Sequence, residues 1–274
     1  MPDLYATIAE IDPAIVEQIA HAMELRAANA QQRNMLDSYL SQIEFPNEAQ
    51  VLEIGCGTGP VVRRLATWPN VGQVTGLDPS PILLSKAAQL SEGLSNLAFK
   101  EGDGRDVPFD DKTFDVVIFH TTLCHVPHPE KALAEAYRVL RSDGQLVIFD
   151  GDYATTTVAN GENDPLQQCV EFFLAHFTHD IWLVRRLPKL VSEIGFSTRQ
   201  FQSFGYVEQS DPTYMLTLVD RGADTLVAHK KISETLASTL KSEARRRVEA
   251  NEFFGHIAYA SLIAQKSTGQ DMDS

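Results

Sequence analysis

The stretch Val51-Leu52-Glu53-Ile54-Gly55-Cys56-Gly57-Thr58-Gly59 decides the fold. Residues 50–54 read as a short apolar strand that ends on three alternating glycines, with a helical segment at 59–67 directly after. Glycine has no Cβ, so the backbone can turn sharply there and come close to a ligand. The start of the following helix offers unsatisfied N–H groups and the positive end of a dipole. Such a turn suits a dinucleotide pyrophosphate, or the carboxylate and sugar of a smaller ligand. The dinucleotide fingerprint is Gly-x-Gly-x-x-Gly, and Pro60 stands where its third glycine is needed. This spacing argues against a nicotinamide-dependent oxidoreductase.

Downstream, strand candidates at 73–77, 97–100, 114–119 and 145–149 alternate with amphipathic helices at 80–91 and 129–140. Alternation of this kind predicts an α/β, doubly wound and mostly parallel sheet, with ligands at the C-terminal strand ends. Residues 4–44 read as helical and end at Pro46-Asn47, which gives an N-terminal helical cap over 1–45 and a core over 46–152. Beyond it, 164–194 read as helical, 197–204 as a strand, 213–250 as mostly helical, and 253–264 as a strand interrupted by Gly255. Residues 153–266 then complete the core around helical substrate-side or lid insertions at about 205–252, and 267–274 form a polar tail.

The net charge of −14 disfavours a nucleic-acid partner, because such binding rests on basic surfaces. Three scattered cysteines make neither a disulfide framework nor a zinc site. No run approaches the ~18 apolar residues of a membrane span. No basic segment leads into an apolar run at the start, so a cytoplasmic setting is the default expectation.

Three further motifs fall at strand ends. Asp78 closes the second strand, where a carboxylate can accept hydrogen bonds from ribose hydroxyls. Asp78-Pro79-Ser80 also reads as a turn with Ser80 as helix N-cap. Glu101-Gly102-Asp103-Gly104-Arg105 follows the third strand. His120-Thr121-Thr122-Leu123-Cys124-His125 follows the fourth, and Asp143-Gly144 make the turn before the fifth.

Together with the glycine loop, these motifs resemble class I S-adenosylmethionine (SAM)-dependent methyltransferases over about residues 30–150. The likeness is to the ubiquinone/menaquinone-biosynthesis-type, small-molecule enzymes. It implies a Rossmann-like seven-stranded sheet with a reversed last strand, SAM as methyl donor and S-adenosylhomocysteine (SAH) as product. It implies a cofactor site of Glu53, Gly55, Cys56, Gly57, Gly59, Asp78, Pro79, Ser80, Asp103, Gly104 and His120. Asp103 would meet the adenine amino group and His120 the methionine part. Arg33 is the candidate partner for the SAM carboxylate, because an N-terminal helix covers the cofactor in similar enzymes; the alternative is a surface arginine.

Methyl transfer from a sulfonium needs an aligned nucleophile, and proximity supplies much of the acceleration. A general base is required only where the acceptor must lose a proton. His120 and His125 are the candidates; the alternatives are packing against SAM for His120 and a loop support for His125. A metal site would want carboxylates after the fourth and fifth strands, and His120 stands at the fourth, so no metal is expected. Phe172, Phe173, Phe177, Trp182, Tyr206 and Tyr214 are either core or the wall of an apolar pocket. The expectation is therefore SAM-dependent methylation at O, N or C of a small, apolar or aromatic metabolite, with a homodimer through 205–252 left open. The alternative keeps the fold and uses SAM structurally or in a cyclisation or rearrangement.

Overall fold

The computed structural model describes Asp3, Ile8 and residues 11–266. The 267–274 tail and most of 1–10 lie outside the described residues. The strands are β1 (Ala49–Ile54), β2 (Val71–Asp78), β3 (Leu97–Glu101), β4 (Phe114–His120), β5 (Leu140–Thr157), β6 (Phe196–Glu208) and β7 (Gly255–Lys266). They form one sheet in the order β3-β2-β1-β4-β5-β7-β6. β1 to β5 pair in parallel, and β7 runs antiparallel to both β5 and β6. Val51, Leu52, Val116, Val117, Ile118, Val147 and Ile148 are all fully buried. Adjacent side chains point to opposite faces, so the central strands must be covered on both sides, as parallel sheets require. Strand order reverses between β1 and β4, which opens the ligand crevice beyond Ile54 and His120.

α3 (Pro60–Leu65), α4 (Pro81–Leu90) and α5 (Pro129–Val139) each begin on proline, whose fixed φ suits the first helical turn. Ser80 caps α4, as expected. Three long helical segments prove to be pairs. The first is α1 (Pro13–Ala28) and α2 (Ala30–Leu40). Between them Asn29 takes an extended conformation and its side chain accepts from Gln31 and Gln32 N–H, starting a new helix instead of continuing the old one. Likewise 164–194 divides into α6 (Pro165–Phe177) and α7 (Leu183–Ile194). The excursion between β6 and β7 divides into α8 (Thr213–Ala228) and α9 (Glu234–Glu249), the latter capped by Ser233. Gly255 does not interrupt the last strand; it begins it.

α6 and α8 cross closely, because a Cβ on Gly222 would sit 2.0 Å from the Cys169 carbonyl oxygen. Arg247 of α9 binds Asp164, the N-cap of α6, at 2.6 Å, with both side chains largely buried. α1 stands apart from the main core. It buries Val16, Ile19 and Ala20 in a small cluster with Ile8 and with Leu83 of α4.

Candidate functional site

Gly55, Gly57 and Gly59 all have positive φ, at 77°, 54° and 80°. A Cβ on Gly55 would lie 2.3 Å from Thr122, and one on Gly57 would lie 2.9 Å from the Met23 sulfur. The loop is therefore a tight, floor-like turn that only glycine can make. Its amides are consumed internally. Gly55 and Cys56 donate to the Leu77 carbonyl at 2.7 and 3.0 Å, and Gly59 to the Cys56 carbonyl at 2.8 Å. Gly57 donates to the Asp78 carboxylate at 2.8 Å. The helix behind offers little, since Pro60 has no N–H and the Val62 N–H points at the Glu53 carboxylate. The expected anion cradle of free amides is thus absent among these groups, and charge recognition falls to side chains.

One cavity at the strand ends is lined by Glu53, Gly55, Cys56, Gly57, Asp78, Pro79, Asp103, Gly104 and His120. Gly59 and Ser80, expected in the cofactor site, do not line it. Asp78 is buried and accepts from Gly57 and from Ser80 N–H at 2.9 Å, so it ties the loop to the start of α4. Burial nevertheless raises its pKa to about 6, against the two amides. Burial and the nearby Asp78 charge push Glu53 well above the carboxylate range. Glu53 Oε2 is buried with no hydrogen-bond partner among the described residues. Asp103 faces the same cavity, its pKa held low by Arg105 at 2.6 Å.

α1 closes the cavity from above. Glu24 accepts from the Thr58 hydroxyl at 2.6 Å and pairs with Arg63 at 2.8 Å, pinning α1 to the glycine loop. This brings Met23 and Arg26 into the cavity wall, where Arg26 donates to Thr121 Oγ1 at 2.7 Å. Arg33 does not line this cavity. It is exposed on α2 beside a neighbouring groove with Arg64 and Thr67. The break at Asn29 redirects α2, so the cation reaching the site comes from α1; a continuous helix over 4–44 could not have separated the two arginines.

His120 is packed against Phe149 with ring centroids 4.8 Å apart, and its Nδ1 lies 3.0 Å from the Tyr39 hydroxyl. Burial, with the Arg26 charge, lowers its pKa to about 3. His120 is therefore neutral at ordinary pH and a poor proton acceptor. His125 differs. Its Nδ1 meets the buried Asp3 carboxylate at 2.7 Å, and the same carboxylate oxygen accepts His179 N–H at 2.8 Å. Nothing in the sequence pattern signalled Asp3, which lies 122 positions away.

A second cavity adjoins the first and shares Met23, Arg26 and His125 with it. Of the aromatic residues singled out by sequence, Phe173, Phe177, Tyr206 and Tyr214 line it, joined by Tyr153 of β5. Phe172 packs instead against His176 and His229, and Trp182 is exposed beneath Arg185. Asp152 pairs with Arg185 at 2.9 Å. Among the described residues, no group of three or more His, Cys, Asp or Glu could hold a metal ion, and no helix is long and apolar enough to cross a membrane.

Residues 52–148 match the family model described as a methyltransferase domain. Over that stretch the chain is similar to a methyltransferase domain. The demethylmenaquinone methyltransferase of Bacillus licheniformis is 33% identical over 121 residues, covering 44% of this chain and 52% of that protein. The chain spans about half the length of the curated relatives it matches. Two solved structures share the methyltransferase-domain fold more widely. The [4+2]-cyclase SpnF aligns over 98% of each chain with a TM-score of 0.62 and 19% identity. Phosphoethanolamine N-methyltransferase 2 of Haemonchus contortus, bound to SAH and phosphomonomethylethanolamine, aligns over 91% of this chain and 57% of that one, at 0.57 and 18%. Identities this low carry the fold alone.

Proposed function

We propose that the protein transfers a methyl group from SAM to a small, apolar or aromatic acceptor. The observation that carries this reading is the junction of the two cavities at Met23, Arg26 and His125. One cavity has three carboxylates at strand ends, the other is walled by aromatic rings.

The residues present fit the cofactor. Asp78 ends β2 where ribose hydroxyls would donate to it, and Asp103 follows β3 where an adenine amino group would. The unpartnered Glu53 Oε2 suits the amino group of the methionine part, and Arg26 suits its carboxylate. SAM bound there would supply an electrophilic methyl group at the mouth of the second cavity.

His125 is the candidate base for an acceptor that must lose a proton. Asp3 fixes its Nδ1 as the donor, which leaves Nε2 as the acceptor atom. His120, neutral and stacked, would shape the methionine end without moving a proton. Met23 and Arg26 of α1 line both cavities, so the cap covers the junction on one side.

The relative that acts on demethylmenaquinone by name makes quinols the first acceptors to assay. Calorimetry should show SAM and SAH binding, and SAH release should follow with a quinol or phenol panel. If acceptors bind the SAM-loaded protein and none yields SAH, the transferase reading fails. Acceptor conversion with SAM left intact would establish the alternative, in which SAM is held without being consumed.

A further inference from the structure

The second cavity holds one feature that its apolar walls do not explain. Arg221 of α8 lies over the faces of Phe173 and Phe177, at 4.6 and 5.2 Å from their centroids. Those two rings stack on each other at 4.5 Å, and the cation stands beside the pair, close to both. Every neighbouring carboxylate is engaged elsewhere. On α8 itself, Asp220 pairs with Arg245 at 2.7 Å and Asp224 with Lys241 at 2.5 Å, both from α9. Within the cavity, Glu208 takes the Tyr206 hydroxyl and the amides of Tyr214 and Met215, and burial raises its pKa. Asp211 accepts from the Thr213 hydroxyl at 3.1 Å. Arg221 makes no ion pair among the described residues.

A guanidinium carries five donors in a planar fork that matches a carboxylate, and its weak hydration lets it rest on aromatic faces. Here the two rings flank the guanidinium in the cavity wall, where a cation without an ion pair among the described residues can meet a carboxylate. The chain's net charge of −14 would repel an anion generally, so a local cation in an aromatic chamber is selective.

We infer that the acceptor chamber takes a flat aromatic molecule bearing a carboxylate, with the Arg221 guanidinium clamping the carboxylate while Phe173 and Phe177 contact the ring. This rests on the reading of the second cavity as the acceptor site. It narrows that reading from apolar molecules in general to aromatic acids.

The test compares carboxylic acids with their methyl esters on the SAH-saturated protein by calorimetry. Probes are benzoate, 4-hydroxybenzoate, 3-phenylpropanoate and indole-3-acetate. At least one acid should bind roughly tenfold or more tightly than its ester, as a charge-assisted hydrogen-bonded pair implies. Arg221→Gln should remove that difference, Arg221→Lys should keep part of it, and SAH affinity should not change in either. Equal binding of every acid and its ester, or no binding of any acid, overturns the proposal. So does an acid preference that survives in Arg221→Gln. SAH binding is read separately: its absence would sink the methyltransferase reading, while the acid and ester comparison still reports on the chamber in the SAH-free protein.

Discussion

The Asp78 carboxylate should make cofactor affinity depend on pH within a narrow window. Its pKa in the folded protein is about 6, against an ordinary 3.8, because burial outweighs the two amides it accepts from. A raised carboxylate pKa means the folded state prefers the neutral form. The corresponding stability is fully present below pH 3.8 and lost as pH rises through 6, at a cost of about 3 kcal/mol for a two-unit shift. Ribose hydroxyls donating to Asp78 would stabilise the charged form and offset that cost, so SAH should bind the ionised state preferentially. With a pKa of about 6, some nine-tenths of the group is ionised at pH 7 and about one-tenth at pH 5. SAH affinity should therefore fall roughly tenfold between those values, or about 1.4 kcal/mol. Calorimetry at pH 5, 6, 7 and 8 reads this directly. Asp78→Asn should bind more weakly throughout and with a flatter profile, and Glu53→Gln separates any contribution from the other raised carboxylate. A wild-type affinity constant within twofold across pH 5–7, or an unchanged slope in Asp78→Asn, would refute the assignment.

Three other outcomes follow from the same geometry. Because the His120 pKa is lowered to about 3, its stabilising contribution is lost as pH falls from about 6.5 towards 3, at about 1.4 kcal/mol per unit. His120→Phe keeps the stack on Phe149 and strands the Tyr39 hydroxyl, so urea melts should show a loss of about 1–3 kcal/mol at pH 7 that shrinks by about 2 at pH 5. Asp164→Ala removes both the α6 cap and the partner of Arg247, and should cost about 3–5 kcal/mol in equilibrium unfolding, while Asp164→Asn, which still caps, costs less. Glu24→Gln weakens the pin between α1 and the glycine loop; SAH should dissociate several-fold faster in stopped flow, with urea stability changed by less than about 1 kcal/mol because the pair is partly exposed.

The first four strands were legible because each ends in a motif suited to a strand end. Gly55 after β1, Asp78 closing β2, Asp103 after β3 and His120 closing β4 all fall at the crevice rim, and the structure brings them to one cavity. Residue spacing fixed their order along the chain, and the parallel sheet converted that order into proximity. The antiparallel edge is less local: the apolar run 253–264 reads as a strand, but its reversed direction between β5 and β6 was foreseen only through family likeness. The break inside the helical cap was not visible in the sequence, for a physical reason. Asn29 is a single residue inside an otherwise helical composition, and its side chain accepts from the Gln31 and Gln32 amides, a local alternative to continuing α1. That one break decides which arginine reaches the cavity.

The contacts that sequence could not supply are those joining distant segments across the two cavities. Asp3 to His125, Arg26 to Thr121 and Glu24 to Thr58 each bridge the cap to a strand-end loop. They also carry the electrostatics, since the glycine-loop amides are spent on Leu77, Asp78 and Cys56. The strand ends bring the carboxylates Glu53, Asp78 and Asp103 to the cavity, and α1 adds the cation Arg26 to its wall. α1 rests on a small apolar cluster of its own, apart from the main core. Few buried apolar contacts mean a low free energy for local opening, which is the property an entry gate over an enclosed cofactor requires. Slower exchange of the α1 amides than of the β1 and β4 amides would contradict this division, in which the sheet carries fold stability and the separately packed cap opens first.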